Sequence, residues 1–431
     1  MNNVVNAIRT PIRVTALPWL ICGLGALFYC YEYLLRIAPS VMTTDLMQAY
    51  QINATVLGNL VAFYYYAYTP MQLPVGILMD RYGPRRLLTF ACLACAFGSY
   101  LFAHALHLGF AQVGRFLVGF GSAFAFVGVL KLATIWLPPQ RFAMISGLTT
   151  SLGMIGGMVG NIYLTSLVDR MGWRGTVLLS AVVGVVLAVA MFLIIRDHSG
   201  HPYLPSHKSH INLKSVLLGA AKIFRKPQMW LCGIVGAILY LSLSAFAELW
   251  GNPYLETARG LGKQQAGISN SMVFLGWTFG GPLMGWISDA ISRRLLPVIV
   301  GTVGGAITIA MLLYLPSPPL WMINMLLFLF GVFASSEVII FAIARESCHS
   351  NVAASALAIV NMLIMFGGVV FQPLTGWFLD LTWTGELVNG VRHYTASSYQ
   401  MALMALPILF ILATVLTFFM RETHCMVEES P

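Results

Sequence analysis

The sequence predicts an all-α membrane protein with twelve transmembrane helices in two pseudo-symmetric six-helix bundles. Three observations lead to this fold class: twelve long apolar runs, one long polar stretch after the sixth, and similar residues at a fixed offset. Of the 431 residues, 58% are hydrophobic and 9% are charged. A soluble domain carries about 25% charged residues because it needs a polar surface over its core. Most of this chain therefore lies in lipid.

The apolar runs have the length that a bilayer requires. A membrane-spanning helix needs about 20 mostly apolar residues to cross about 30 Å of hydrocarbon. These runs are continuously apolar and do not alternate every second residue, which excludes a transmembrane barrel. The predicted spans, called spans 1 to 12 below, are 18–38, 55–79, 87–105, 111–136, 142–167, 175–195, 229–250, 266–288, 295–314, 320–344, 352–378 and 399–420.

The positive charges predict the orientation, because cytoplasmic loops carry an excess of Lys and Arg. With both termini inside, the inner loops and tails hold 16 of these residues and the outer loops hold 5. No small-residue cleavage site follows a short apolar core, so the first run is interpreted as an uncleaved anchor. We expect a multi-pass protein of the bacterial inner membrane with both termini in the cytoplasm.

Several classes of function are excluded by composition and motifs. The net charge of +9 is dispersed in short loops without a basic stripe, so nucleic acid is not an expected partner. No GxxxxGK[ST] loop and no catalytic triad or metal constellation at membrane depth occurs, so we expect neither ATP hydrolysis nor an enzyme. Four histidines between 198 and 210 lie in a Pro- and Gly-containing linker, which disfavours a zinc site. We expect a monomer without cofactor or metal, partnered by the bilayer and a small solute and driven by the proton gradient.

The chain is interpreted as a duplication. The predicted units are a bundle over 1–197, a cytoplasmic loop over 198–228 and a second bundle over 229–431. Two such halves form a transporter architecture with the substrate site at their interface near the midplane. An offset of 211 superposes Tyr29 on Tyr240 and Gly156-Gly157 on Gly367-Gly368, and an offset of 209 superposes Gly76, Asp80 and Arg85 on Gly285, Asp289 and Arg294.

Two motifs identify a family resemblance. Residues 76–86, Gly-Ile-Leu-Met-Asp-Arg-Tyr-Gly-Pro-Arg-Arg, resemble the signature loop of the major facilitator superfamily, and Arg115-x-x-x-Gly-x-Gly resembles its fourth span. The resemblance implies a secondary transporter that works by alternating access. In the second-half loop, Ala290 and Ser292 replace the Arg and Gly. Shorter stretches in 45–55, 136–141 and 156–174 resemble the proteobacterial branch that includes intraphagosomal amino-acid importers.

The signature loops predict a cytoplasmic gate. Asp80 and Asp289 lie where a carboxylate could contact the positively polarised helix N-terminus of the opposite half, worth about 0.3–1 kcal/mol and up to about 2. Gly76 and Gly285 permit close helix approach. Alternatively, the loops only anchor the inner side through their positive charge. The predicted gate comprises Gly76, Asp80, Arg81, Gly83, Arg85, Arg86, Gly285, Asp289 and Arg294.

Ionisable residues inside the spans are candidates for the transport site, because a charge at mid-bilayer costs at least about 2.5–3.5 kcal/mol. Glu32 and Arg36 are four residues apart and share one helix face. A guanidinium binds a carboxylate with two hydrogen bonds, so the pair predicts a carboxylate or zwitterion site. The alternative is a pair that only fixes helix packing. Protonation of Glu32 would free Arg36 for the substrate, which gives symport.

Further candidates complete the predicted site. Glu337 in span 10 would bind an amine or a proton, and Arg115 in span 4 resembles a family arginine tied to proton movement. Glu248 is expected in the outer mouth, close to Trp250. The predicted substrate-binding residues are Arg36, Glu32, Tyr29, Tyr33, Glu337, Asn270 and Asn361, and the predicted proton-coupling residues are Glu32, Arg115 and Glu337.

The predicted function is proton-coupled import of a small carboxylate-bearing solute, such as an amino acid or a short peptide. Two alternatives remain open at this point. An organic-anion symporter or exchanger would need Arg36 but not an acidic partner for an amine, such as Glu337. A drug or siderophore exporter would need neither, because a broad apolar cavity has no obligatory clamp for a carboxylate.

Overall fold

The computed structural model describes residues 16–138, 141–197, 223–349, 353–388 and 390–426. These residues are almost wholly helical, apart from an antiparallel hairpin of Leu387–Val388 and Val391–Arg392. The helices of the first half are Ala16–Ile37, Thr43–Tyr50, Ala54–Met71, Pro74–Tyr82, Pro84–His104, Leu108–Ser122, Ala125–Trp136, Phe142–Val159 and Thr165–Ile194. Those of the second half are Pro227–Leu241, Gly251–Arg259, Lys263–Ala290, Leu295–Tyr314, Leu320–Ala334, Glu337–Glu346, Ala353–Leu381, Ala396–Leu403 and Ala405–Thr417.

The twelve-helix architecture is confirmed. Within the described ranges, nine helical stretches are long and apolar enough to cross a membrane. One of them, Met144–Ile194, contains spans 5 and 6, which meet at Gly172, where a φ of 73° interrupts the helical course. Only glycine adopts such a φ without strain. Span 2, formed by Ala54–Met71 and Pro74–Tyr82, and span 8, formed by Lys263–Ala290, complete the set.

Several spans are interrupted where the hydropathy pattern is continuous. Span 2 breaks before Pro74, because proline lacks the N–H that an uninterrupted helix would use. Span 10 breaks at Ser335-Ser336. Span 7 widens into a π-helical segment over Ser242–Trp250, a geometry that is frequent at functional sites. Buried polar side chains lie at or beside these breaks: Gln72, Glu248, Ser335 and Ser336.

The two halves meet along spans 2 and 11 and along spans 5 and 8. Close approach of span 2 to span 11 requires Gly58, since a Cβ there would overlap the backbone of Gln372 and Pro373. We call the two ends of the bundle inner and outer according to the orientation that the charges predict. Most of the predicted loop 198–228, including its four histidines, lies outside the described residues, and the boundaries of the predicted units stay a prediction.

Candidate functional site

The site is built around a buried guanidinium in span 1. The helix Ala16–Ile37 places Glu32 and Arg36 one turn apart on the same face. Arg36 Nη2 donates to both carboxylate oxygens of Glu32, at 3.1 Å each. The side chain of Arg36 is 2% exposed and that of Glu32 is 0% exposed. The pair therefore belongs to the interior of the protein and does not face lipid.

Tyrosines of spans 1 and 2 enclose this pair. The Tyr64 hydroxyl accepts a hydrogen bond from Arg36 Nε at 2.9 Å and donates one to Glu32 Oε2 at 2.9 Å. The guanidinium carbon lies 4.3 Å from the ring centre of Tyr33 and 5.1 Å from that of Tyr68. Aromatic faces attract a cation, most strongly where water is excluded. The rings thus hold Arg36 in place without neutralising its charge.

The second half of the protein contributes to the same guanidinium. Arg36 Nη1 donates to the Tyr240 hydroxyl at 2.7 Å and lies 3.8 Å from Glu248 Oε1. The other carboxylate oxygen of Glu248 accepts a hydrogen bond from the Tyr65 hydroxyl of span 2. Glu248 comes from the π-helical segment Ser242–Trp250 and is 0% exposed. It therefore lies beside Arg36 in the interior, although we had predicted the outer mouth.

Arg115 of span 4 is the second buried guanidinium in this region. Its Nη1 donates to the Leu35 carbonyl at 2.9 Å, and its Nη2 donates to the Arg36 carbonyl at 3.4 Å. These carbonyls belong to the last turn before Ile37, where a helix carries unsatisfied acceptors and partial negative charge. Arg115 is 3% exposed, and its guanidinium lies 5.4 Å from the Tyr64 ring centre. It therefore connects span 4 to the end of span 1 that carries the site.

Two of the other predicted site residues lie apart from these ionic contacts. Tyr29 packs against Tyr33, with ring centres 5.2 Å apart, one turn before Glu32. Glu337 is 4% exposed and has no hydrogen bond or ion pair within the described part of the chain. It follows Ser336, whose buried hydroxyl also lacks a hydrogen-bond partner among the described residues. Glu337 therefore marks a second polar point in the interior of the C-terminal half.

The two predicted asparagines form hydrogen bonds between the halves. Asn270 Nδ2 donates to the Ala247 carbonyl at 2.8 Å and to Asn161 Oδ1 at 3.3 Å. Asn361 Nδ2 donates to Gln72 Oε1 at 2.9 Å. Each side chain thus contacts the opposite half, which is the helix–helix role expected of a polar residue in a span.

The first-half signature loop bonds mainly within its own half. Asp80 Oδ1 pairs with Lys131 Nζ at 2.6 Å, and both side chains are about one-third exposed. Gly83 has a φ of 81° at the turn between the helices, and Arg85 N donates to Asp197 Oδ1 at 2.8 Å. The predicted latch of Asp80 onto the opposite half stays a prediction. In the same loop Gly76 has open space around its Cα, Arg81 lies over the Tyr82 ring, and Arg86 is exposed.

The second-half signature loop has a denser network. Arg294 Nη1 pairs with Asp289 Oδ1 at 2.6 Å, and its Nη2 pairs with Glu346 Oε1 at 2.7 Å. The Glu422 carboxylate accepts from the backbone N–H groups of Arg294 and Leu295, at 2.8 and 2.9 Å. These partners all belong to the C-terminal half. Gly285, like its first-half counterpart, has open space around its Cα.

Five residues of the site were missed by the sequence interpretation. Glu248 was placed elsewhere, and Tyr240 was used only as the counterpart of Tyr29 in the duplication. Tyr64, Tyr65 and Tyr68 belong to the run Phe-Tyr-Tyr-Tyr-Ala-Tyr over 63–68, which is unusually rich in hydroxyls for a membrane span. That run was the available signal, because a buried tyrosine hydroxyl needs a hydrogen-bond partner.

Comparison with known families gives a match over most of the chain. The family described as Major Facilitator Superfamily matches residues 22–371 and 250–431. An uncharacterized transporter of Bacillus subtilis, YybO, is 24% identical over 388 residues, which cover 84% of this chain and 88% of YybO.

Two further relatives carry substrate names. The probable sulfoacetate transporter SauU of Cupriavidus necator is 24% identical over 285 residues, which cover 64% of this chain and 66% of SauU. The probable L-galactonate transporter of Escherichia coli is 25% identical over 376 residues, covering 81% of each chain. These names do not support the predicted resemblance to the amino-acid importer branch.

Solved structures share the fold. A bacterial homolog of the human lysosomal transporter Spinster, in an inward-facing and occupied conformation, has a TM-score of 0.76 at 13% identity, covering 94% of this chain and 97% of that one. The nucleoside transporter NupG has a TM-score of 0.75 at 14% identity, covering 94% of this chain and 99% of that one. At these identities the likeness concerns the fold alone.

Proposed function

This chain belongs to the Major Facilitator Superfamily of membrane transporters, and on that premise we propose that it imports a small organic anion together with protons. The proposal includes an inner-membrane location and cytoplasmic termini, as the loop charges predict. The organic-anion alternative replaces the amino acid or short peptide as the favoured solute. Galactonate and sulfoacetate, in the names of the two relatives, are small anions.

One observation carries the proposal: a buried guanidinium, Arg36, is contacted by a carboxylate from each half of the protein. Arginine presents a planar pair of N–H donors that matches a carboxylate. A substrate carboxylate can therefore take the position that a glutamate carboxylate occupies in this structure. Because the two halves share the contact, exchanging the partner of Arg36 alters the attraction between them, which is what alternating access requires.

Protons couple to the anion through Glu32. If the substrate displaces an ionised Glu32 from Arg36, a buried carboxylate loses its partner, and breaking such a pair costs about 3–5 kcal/mol. A proton on Glu32 removes that penalty. Conversely, a substrate bound to Arg36 removes the attraction that keeps Glu32 ionised, so Glu32 binds a proton more readily. Proton and anion therefore promote each other's binding, and by linkage the effect is equal in both directions.

The test is uptake into proteoliposomes with the outside more acidic than the inside. We expect accumulation of at least one of L-galactonate, D-glucarate and sulfoacetate, with loss of accumulation when a protonophore collapses the gradient. Arg36→Lys keeps the charge but loses the paired donors, so uptake should fall about 10- to 100-fold, as expected for one or two lost charge-assisted hydrogen bonds.

Arg293→Lys is the matched control, since Arg293 is exposed beside the second signature loop, and it should retain full uptake. Glu32→Gln should abolish accumulation of the monocarboxylate galactonate against a gradient while its exchange continues. Uptake that persists in Arg36→Lys, or galactonate accumulation that persists in Glu32→Gln, would contradict the proposal. Transport of apolar cationic drugs with no anion uptake would favour the exporter alternative.

A further inference from the structure

The interior cluster around Arg36 holds an equal number of positive and negative side chains. Two guanidinium groups, Arg36 and Arg115, lie with two carboxylates, Glu32 and Glu248, and each of the four is at most 3% exposed. The four charges sum to zero when all are ionised. Burying a net charge away from water is costly, whereas a paired and hydrogen-bonded set is tolerated. With all four groups ionised, the cluster is therefore neutral.

The two carboxylates differ in the number of hydrogen bonds that they accept. Glu32 receives two hydrogen bonds from Arg36 and one from Tyr64. Glu248 Oε1 lies 3.8 Å from Arg36 Nη1 and has no hydrogen bond within the described residues, while its other oxygen is held by Tyr65. Glu248 Oε1 is thus a buried acceptor that a proton can occupy without breaking a hydrogen bond.

Arg115 does not act as an exchangeable partner. Its guanidinium is bonded to two carbonyls in the last turn of span 1, so its charge is already opposed by the helix terminus. Arg36 is the guanidinium whose carboxylate partners a substrate can replace. Each carboxylate that is replaced must take up a proton if the site is to stay neutral.

We propose, on the basis of the proposed function, that the cluster binds one proton for each negative charge of the transported anion, so that transport is electroneutral. For a monocarboxylate, the substrate carboxylate replaces Glu32, and Glu32 carries one proton. For a dicarboxylate, Glu248 carries a second proton. On release, the anion and its protons leave on the same side, and both glutamates return to Arg36. The substrates are accordingly small sugar-acid-like anions with one or two carboxylates.

Among the described residues, no other charged group opposes this balance at the cluster. The other titratable side chains that interact with the two carboxylates, from spans 1, 2, 3, 4 and 7, are two guanidinium groups, six tyrosines and two cysteines: Arg36, Arg115, Tyr29, Tyr33, Tyr64, Tyr65, Tyr68, Tyr240, Cys30 and Cys95. The phenols and thiols are neutral at physiological pH. The exchange of protons for anion charge therefore takes place between the two glutamates and the substrate.

The experiment uses the full-length protein in proteoliposomes with valinomycin and potassium to set the membrane potential. L-Galactonate and D-glucarate are the probes, because both are six-carbon sugar acids and glucarate carries one carboxylate more. A pH-sensitive dye inside the vesicles counts the protons that enter with each anion. For the wild type we expect about one proton per galactonate and about two per glucarate, with accumulation of both independent of the potential.

Glu248→Gln should change the transport of glucarate differently from that of galactonate. The rate of galactonate uptake should fall, because Arg36 loses its partner in the second half, but each galactonate that enters still carries the one proton of Glu32, so its accumulation stays independent of the potential. Residual galactonate uptake also shows that the variant is folded. Glucarate now moves with one proton and one net negative charge. Its accumulation should change about 50-fold per 100 mV, because one charge crossing 100 mV is worth about 2.3 kcal/mol. Glu386→Gln, an exposed outer carboxylate, is the matched control and should behave like the wild type.

The outcomes distinguish this inference from the proposed function. Proton-driven uptake that depends on the potential in the wild type, or an unchanged proton count for glucarate in Glu248→Gln, overturns the electroneutral cluster and leaves proton-coupled anion import intact. Absence of proton-driven uptake for every anion overturns the proposed function itself. The wild-type counts decide the inference without the variant if Glu248→Gln does not fold.

Discussion

The outer and inner ends of the half–half interface use carboxylates in different ways. At the outer end, Asp380 at the end of span 11 accepts a hydrogen bond from the backbone N–H of Thr55, at the start of span 2, in the opposite half. At the inner end, Asp80 and Asp289 pair with cations of their own halves. The latch that the sequence suggested for the inner loops therefore has its observed counterpart at the outer end.

The outer contact caps a helix. Asp380 Oδ2 lies 2.9 Å from Thr55 N and 2.5 Å from Thr55 Oγ1. The Tyr394 hydroxyl accepts from Ala54 N at 3.0 Å and donates to Asp380 Oδ1 at 2.5 Å. The first N–H groups of a helix lack partners within the helix and carry partial positive charge. A carboxylate from the other half is therefore well placed to hold the outer end shut.

A second outer contact is made of three neutral amides and a hydroxyl. Asn252 Nδ2 donates to Ser40 Oγ at 3.0 Å and to Asn161 Oδ1 at 2.8 Å, and Asn270 adds a bond to the same oxygen. All four side chains are buried and come from both halves. The halves are therefore latched at the outer end in this structure, whereas the signature loops stabilise each half separately.

The largest expected effect is at the inner loop of the second half. Arg294→Ala removes the cationic partner of the buried Glu346 carboxylate, which keeps the hydrogen bond from the Thr423 hydroxyl. A buried charged group that loses its charged hydrogen-bond partner costs about 1–3 kcal/mol. We expect a lower melting temperature of the purified protein without a change in the outer separation of the halves. Arg293→Ala, which changes the exposed neighbour, should leave the melting temperature unaltered. A shift in the outer separation would show that this loop links the halves after all.

Breaking the outer latch should instead shift the protein towards the outward-open conformation. Asp380→Ala removes a helix cap worth about 0.5–2 kcal/mol, so the ratio of outward-closed to outward-open protein should fall about 2- to 30-fold. It also leaves Arg392, 3.1 Å from the carboxylate, without that partner. Spin labels at Gln48 and Glu386, exposed on the outer side of opposite halves, report the separation by pulsed dipolar spectroscopy.

The control for the outer latch is Asp169→Ala. Asp169 precedes Asp380 by the duplication offset of 211, ends span 5, and lies 4.0 Å from Lys263 of the opposite half with half of its side chain exposed. An exposed pair contributes about 0–1 kcal/mol, so the label separation should barely change. Equal effects of the two substitutions would contradict the assignment of the latch to Asp380.

Local sequence features predicted the helices well and the site in part. Apolar length located twelve spans, and the four-residue spacing of Glu32 and Arg36 predicted their pairing, because both signals are local. The break before Pro74, the outer helix Thr43–Tyr50 and the strand pair of Leu387–Val388 and Val391–Arg392 were not predicted. Each depends on polar backbone bonds and packing that a hydropathy average does not contain.

The part of the site that comes from the second half was not predicted for a different reason. Glu248 lies more than 200 residues from Arg36 along the chain, and no periodicity within one span reveals which distant helix faces it. The same is true of Asp380 and Thr55, whose contact depends on how the halves are docked. The predicted contacts of Asp80 and Asp289 with a helix terminus of the opposite half stay a prediction, and the sequence did not indicate that Asp380 would make a contact of this kind at the outer end.

A smaller effect is expected from the acid sensitivity of the second-half loop. Although partial burial raises the pKa of Glu422, hydrogen bonds from the backbone N–H groups of Leu295 and Arg294 outweigh it and lower the pKa below its usual value. The ionised form is therefore bound more tightly in the folded protein. Its contribution is complete above the unfolded-state pKa of about 4.5 and is lost as the pH falls through the lowered folded-state pKa.

Glu422→Gln should accordingly lower the melting temperature at neutral pH and converge with the wild type in strong acid. Melting curves recorded from pH 7 downward check this expectation. Glu386→Gln is the control, because that carboxylate is about half exposed. A difference between Glu422→Gln and wild type that grows as the pH falls below 4 would have the wrong sign for a carboxylate with a lowered pKa.

The smallest effect on this conformation is expected at Asp80. Its pair with Lys131 is partly exposed, so Asp80→Asn should change the free energy of unfolding by about 0–1 kcal/mol. If the same carboxylate caps the inner end of span 11 once the outer end opens, Asp80→Asn destabilises that other conformation by about 0.3–2 kcal/mol. The label pair at Gln48 and Glu386 should then show more of the outward-closed form, opposite to the effect of Asp380→Ala. Asp289→Asn, at the equivalent and more exposed position, is the control and should leave the distribution of label distances unchanged. If Asp80→Asn also leaves that distribution unchanged, Asp80 stabilises only its own half and does not contact the other one.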